Sequence, residues 1–359
     1  MSLSRSLQIR MDIAGEFHVA KINKCIHMKK LLTLALFSIA INAHTKAQNK
    51  TVGTVERIDP ALDAIIAPGA TAEIIAEGFH WSEGPLWLEK IHALIFSDVP
   101  ENKIYKWTAA KGLELYLTPS GYTDTIKRGG EMGSNGLLLD NKGRLVLCQD
   151  GNRQMGRMNA PLDHPAPDFI TIASTYKGKR FSSPNDAAYT KSGELYFTDP
   201  PYGLETKSDS DPKKEIPFNG VYKVKKDGTV ILLIDSLPRP NGIAFLPGDK
   251  KLLVACSDGR KPNWYVYDVK GDSLTNGKIF YSTVGSPKGV KGSPDGMKVD
   301  KKGNIFASGP GGIWIFNVDG KLLGKLHLTE QASNCALSTD EKTLYITNNM
   351  YVLKFKMRD

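Results

Sequence analysis

Apolar residues in this chain come in short runs broken by Gly, Asn, Asp and Pro, and no stretch of ten or more residues follows a helical period. Six segments share one pattern, in which a side chain bearing oxygen is followed by small or turn-prone residues and then an apolar run. They open at Glu83, Asn135, Asn185, Asn241, Asp295 and Asn334, at intervals of 52, 50, 56, 54 and 39 residues. Eight to ten residues after each opening a second strand-like run begins, at His92, Gly143, Gly193, Lys251, Gly303 and Thr343. Turn sequences such as Asp140-Asn141-Lys142-Gly143 and Asp300-Lys301-Lys302-Gly303 lie between the paired runs and read as hairpin connections. A third run often follows, as at Lys103–Trp107, Gly220–Val224 and Trp264–Tyr267.

Strand units repeating about every 50 residues predict an all-β, six-bladed β-propeller over residues 71–359. A two-domain sandwich or a β-helix would not place a polar atom at the same point of every unit. The short last interval implies that the ring closes with N-terminal strand material within Ala72–Gly78. The innermost strands should line a central channel, so the six opening residues are expected to form a ring at one end of it. Every member offers oxygen and none offers sulfur or imidazole, which suits one divalent cation, Ca2+ ahead of Mg2+, Mn2+ or Zn2+. Isolated Asn and Asp residues open strands because they make Asx-turns. Glu83 argues against that explanation, because Glu is a poor turn former and Gly84-Pro85 follows it.

Composition changes this picture at the N-terminus. Lys29-Lys30, the apolar run Leu31–Ile41 and small residues up to Ala47 read as a signal peptide over residues 28–47. Residues 1–27 then precede the expected start at Met28, and residues 48–70 form a lead segment. The apolar run is too short to span a membrane, and no cysteine follows it for lipid anchoring. An exported protein, periplasmic or secreted, is expected. The formal charge of +9 falls to near +4 without residues 1–47, which removes the case for nucleic-acid binding. Cys148, Cys256 and Cys335 remain in that mature chain, in alternate units, and are expected to pack as small apolar residues rather than form disulfides. Nothing in the sequence bears on oligomeric state.

Five motifs carry a family resemblance when taken in order. They are Trp81-Ser82-Glu83-Gly84-Pro85-Leu86-Trp87, Ser183-Pro184-Asn185-Asp186, Phe197-Thr198-Asp199-Pro200-Pro201-Tyr202-Gly203, Pro240-Asn241-Gly242-Ile243-Ala244-Phe245 and Pro294-Asp295-Gly296-Met297. From about Ala76 to the C-terminus the sequence resembles the senescence marker protein/gluconolactonase/luciferin-regenerating-enzyme superfamily, which includes regucalcin. The resemblance implies a metal-dependent lactonase with Glu83, Asn185, Asn241 and Asp295 as metal ligands and Asp295 also moving the proton. It implies a substrate-binding Arg as well, for which the nearest candidate is Arg180, five positions before Asn185.

Physically, a bound cation would polarise a lactone carbonyl, Asp295 could take the proton from the attacking water, and Asn135 and Asn185 could orient carbonyl or sugar hydroxyls. The expected partner is a small-molecule lactone. Two alternatives remain open: phosphotriester hydrolysis at the same centre, and a non-catalytic ligand-binding propeller with structural calcium. No G-x-S-x-G or H-E-x-x-H motif supports a serine hydrolase or a zinc protease. His80, beside Trp81, reads as a rim residue. The segments entering the inner strands carry Lys127, Arg128, Lys177, Lys179, Arg180, Lys288 and Lys291. These either steer anionic or polyhydroxylated substrates or are ordinary solvated side chains.

Overall fold

The hairpin turns form as their sequences require. Gly143 and Gly303 take left-handed backbone angles (φ 72° and 88°), and their amides donate to the carbonyls of Asp140 and Asp300. The Asp side chains then accept from the amides of Lys142 and Lys302 at 2.9 Å. Such turns join antiparallel strands into six blade sheets, beside one two-stranded hairpin, in a computed structural model that describes residues 50–126 and 128–358. The segments 1–27 and 28–47, and Lys127, lie outside the described residues. Among the described residues no helix is long and apolar enough to cross a membrane.

Blade 1 runs outward through Ser82–Leu88, Ala93–Asp98, Lys103–Thr108 and Gly112–Leu117. Blade 2 comprises Ser134–Leu139, Leu145–Gln149, Gln154–Met158 and Phe169–Ala173. Blade 3 is Ala187–Tyr189, Leu195–Asp199, Gly220–Val224 and Val230–Ile234, and blade 4 is Pro240–Phe245, Lys251–Cys256, Asn263–Lys270 and Ser273–Ser282. Blade 5 consists of Met297–Val299, Ile305–Gly309, Gly312–Phe316 and Leu322–His327. Blade 6 has Ala332–Leu337, Thr343–Asn348 and Tyr351–Lys356 from the C-terminal end, and Ala72–Glu77 supplies its next strand. Each innermost strand touches the next, and that of blade 6 returns to that of blade 1, so the ring is closed. This is the six-bladed propeller expected from the repeats, shut by Ala72–Glu77 against Tyr351–Lys356.

The lead segment contributes two further strands. Thr51–Val52 pairs with Ala72–Glu77 at the edge of blade 6, and Thr54–Arg57 pairs with Leu322–His327 at the edge of blade 5.

The second strands are buried on both faces because the hydrophobic core lies between blades. In blade 1, Ile95 packs toward blade 2 with Leu137, Leu145 and Leu147, while Leu94 and Phe96 pack toward blade 6 with Tyr345 and Val352. Blade 3 repeats this, Phe197 meeting Val146 and Cys148 of blade 2 and Tyr196 meeting Ile243 and Leu252 of blade 4. Strands covered on both sides need apolar residues at successive positions, which is why these runs are continuous rather than alternating. Cys148, Cys256 and Cys335 are free thiols buried in separate blades.

Candidate functional site at the propeller hub

The second residue of most opening pairs is small because the inner strands crowd at the hub. A Cβ on Gly84 would lie 2.0 Å from the carbonyl oxygen of Asn135, and one on Gly242 would lie 2.2 Å from that of Asp295. Neighbouring blades thus meet backbone to side-chain position, and the ring residues are held beside one another. Hydroxyls of the second strands tie this arrangement across blades. The Ser97 hydroxyl donates to the carbonyl of Asn135 at 3.0 Å, and Thr198 Oγ1 to that of Asn241 at 2.8 Å.

A cavity of about 170 Å3 opens at this end of the channel. Glu83, Asn135, Asn185, Asn241 and Asp295 line it together with Trp81, Glu131, Tyr202, Ser257, Ser293 and Gln331. Five of the six ring positions therefore meet in one place. The sixth, Asn334, spends its carboxamide inside the wall, where Oδ1 accepts from the Cys335 amide at 2.9 Å and Nδ2 donates to Glu83 at 3.3 Å.

Asn241 has a defined orientation. The Ser257 hydroxyl donates to the carbonyl of Pro294 at 2.7 Å, so it can only accept from Asn241 Nδ2, 2.9 Å away. That contact fixes the carboxamide with Nδ2 in the wall and leaves Oδ1 for the cavity.

Glu83 is buried, and the amide of Gly84 donates to Oε2 at 2.7 Å. Burial raises its pKa, the nearby Asp186 adds to the rise, and Lys298 partly offsets it. Asp295 is buried as well, and desolvation followed by repulsion from Glu83, Asp186 and Glu131 lifts it well above the ordinary carboxylate range. Two carboxyl groups that hinder each other's ionisation, beside carboxamide oxygens, form a hard-oxygen donor set that matches a divalent cation such as Ca2+. Among the described residues no three His, Cys, Asp or Glu side chains gather as a metal-holding group.

Other predicted residues lie elsewhere. Arg180 is exposed on a hairpin of Thr175–Tyr176 and Lys179–Arg180, outside the cavity wall, and its guanidinium donates to the carbonyl of Asn152 at 3.1 Å. His80 is also exposed and faces Glu101 at 3.0 Å. Part of the basic mouth is structural. Arg128 donates to the carbonyl of Gly203 at 2.7 Å and lies over the Tyr122 ring, and Lys291 pairs with Glu330 at 2.9 Å. Sequence reasoning missed Glu131, Tyr202, Ser257, Ser293 and Gln331 as wall residues. Of these, only Tyr202 stands inside a quoted motif.

The closed ring and its oxygen-lined hub define a six-bladed β-propeller with a polar central cavity. Comparison with known proteins is more specific. The sequence model described as "SMP-30/Gluconolactonase/LRE-like region" matches residues 81–349. A gluconolactonase of Zymomonas mobilis is 37% identical over 333 residues, covering 91% of this chain and 92% of that one. A pentonolactonase of Haloferax volcanii is 24% identical over 74% of this chain and 80% of its own. The solved structure of a gluconolactonase from Xanthomonas campestris superimposes with a TM-score of 0.73 at 26% identity, over 87% of this chain and 99% of that chain. The chain belongs to the SMP-30/gluconolactonase/LRE-like family.

Proposed function

We propose that this enzyme hydrolyses sugar lactones of the glucono-1,5-lactone type at its hub. It is a lactonase, and its likeness to the Zymomonas mobilis and Xanthomonas campestris gluconolactonases supports the gluconolactone reading. The observation that carries the proposal is the convergence of Glu83 and Asp295, both buried, on one cavity with Asn135, Asn185 and Asn241. Glu83, Asn185, Asn241 and Asp295 would hold a divalent cation, Ca2+ foremost, with Mg2+, Mn2+ or Zn2+ as substitutes. When bound, the cation supplies positive charge that polarises a lactone carbonyl and favours the ionised form of Asp295.

The protein's own groups do the rest. Asp295, ionised, accepts the proton of the attacking water at its carboxylate and returns it to the ring oxygen as the ester bond opens. Asn135 and Asn185 turn their carboxamides to the cavity and orient the lactone carbonyl and neighbouring hydroxyls. Arg180 takes no part in this scheme, since it lies outside the wall. Export through residues 28–47 belongs to the same proposal, supported by the charged, apolar and small-residue order there. N-terminal sequencing of the exported protein should begin at Gln48.

The test is acid release from a panel of lactones, with and without chelator. Glucono-1,5-lactone should be turned over, chelation should abolish that turnover, and Asp295→Asn should lower kcat by about 100-fold or more. Full turnover in the chelated enzyme, or in Asp295→Asn, would refute the mechanism. Faster turnover of an organophosphate triester than of any lactone would reassign the reaction.

A further inference from the structure

Glu131 belongs to none of the repeats, yet it reaches the hub. It lies on the segment entering blade 2 and lines the same cavity as Glu83 and Asp295. Its backbone amide donates to the carbonyl of Tyr202 at 3.3 Å, and Lys207 Nζ holds Oε1 at 2.9 Å, so the segment between Asp199 and Gly220 fixes its place twice over. The side chain is 14% exposed and faces the cavity, while Lys207 is half exposed.

A third carboxylate here works against the hub, since its charge adds to the repulsion on Asp295 and on the buried Asp150. Lys207 occupies only one of its oxygens. A carboxylate has acceptor capacity alone, so Oε2 calls for donors, and a polyhydroxylated ligand in the cavity brings them as O–H groups. The half-buried Trp81 in the same wall offers a flat apolar surface to the C–H face of such a ring.

We infer that Glu131 is a specificity-determining residue that accepts hydrogen bonds from the hydroxyls of a polyhydroxylated lactone. This rests on the lactonase reading above. A site built to bond hydroxyls discriminates strongly against a substrate lacking them, because its own polar group is then left unpaired. Glu131 therefore separates sugar lactones from plain aliphatic ones, while the hub carboxylates serve both.

The experiment compares the wild type with Glu131→Ala and Glu131→Gln on glucono-1,5-lactone and on δ-valerolactone, the unhydroxylated ring of equal size. Calorimetric titration with 1,5-anhydroglucitol, which keeps the hydroxyls and lacks the carbonyl, adds a readout free of turnover. Glu131→Ala should lose about 30-fold or more in kcat/KM on gluconolactone and stay within about threefold on δ-valerolactone. Its affinity for 1,5-anhydroglucitol should fall about tenfold, with Glu131→Gln between the two. An equal loss on both lactones, or no loss on either, overturns the inference. A wild type that opens neither lactone defeats the lactonase reading, and the titration then decides alone. Weaker binding by Glu131→Ala upholds the role of Glu131, and unchanged binding by that variant, or none by the wild type, overturns it.

Discussion

Ser257 shows how much one hydroxyl can decide. It gives its proton to Pro294 and so accepts from Asn241, which leaves the Asn241 carbonyl for the hub. In Ser257→Ala the carboxamide loses the contact that sets its orientation. Divalent-cation affinity should fall about 10–100-fold, the usual cost of losing a ligand's supporting partner. Ser257→Thr, which keeps the hydroxyl, should restore most of it, and calorimetric titration with Ca2+ reads both. Asp199 supplies a prediction about pH. The amides of Ser182 and Ser183 donate to its carboxylate at 2.9 and 2.7 Å, yet burial raises its pKa to about 6 from an ordinary 3.8. The folded state therefore keeps a proton that the unfolded chain releases, and stability from this group falls as pH rises from about 4 to about 6. The melting temperature of the wild type minus that of Asp199→Asn should shrink over that interval and then level off. A gap that widens with pH would contradict the assignment.

At the scale of the strand, the hub depends on close contact between neighbouring inner strands. Gly242→Ala would drive a methyl group against the carbonyl of Asp295, forcing blade 5 away from blade 4. The expected cost is about 3 kcal/mol, read as a melting temperature lower by several degrees, together with weaker cation binding. Gly259→Ala, on an open loop with nothing within 4 Å, should be silent. This crowding also explains what the sequence made legible. The repeated oxygen-then-small pattern marks the hub, because five of the six first residues line the cavity and the strands leave no room for a side chain at Gly84 or Gly242. The hydroxyls of Ser97 and Thr198 stand in the second apolar runs and tie each blade to the next, while Thr347 in the same register bonds within blade 6. Glu131, Ser293 and Gln331 were not readable, since loops of unequal length bring them to the cavity and no constant offset from a repeat identifies them. The strands at residues 51–57 escaped notice for a similar reason. Thr51–Val52 and Thr54–Arg57 are short edge strands in which only Val52 and Val55 are partly buried, too few to mark an apolar pattern.

Residues 50–358 form a ring in which residues 51–57 are fastened to two blades. Removing residues up to 58 deletes Thr51–Val52 and Thr54–Arg57 but spares the pairing of Ala72–Glu77 with Tyr351–Lys356. That truncation should still give a cooperatively melting protein, with a lower melting temperature. Removing residues up to 78 takes away the closing strand itself. Blade 6 would then bare the edge of Tyr351–Lys356, and cooperative melting should be lost, which calorimetry on the two truncations would show.

The pairing of Ala72–Glu77 with Tyr351–Lys356 also orders events in time. On the ribosome Tyr351–Lys356 is made after blades 1 to 5, so those blades first assemble as an open arc. Until blade 6 has been made, nothing holds Glu83 against Asn334, and the hub is complete only once the ring has shut.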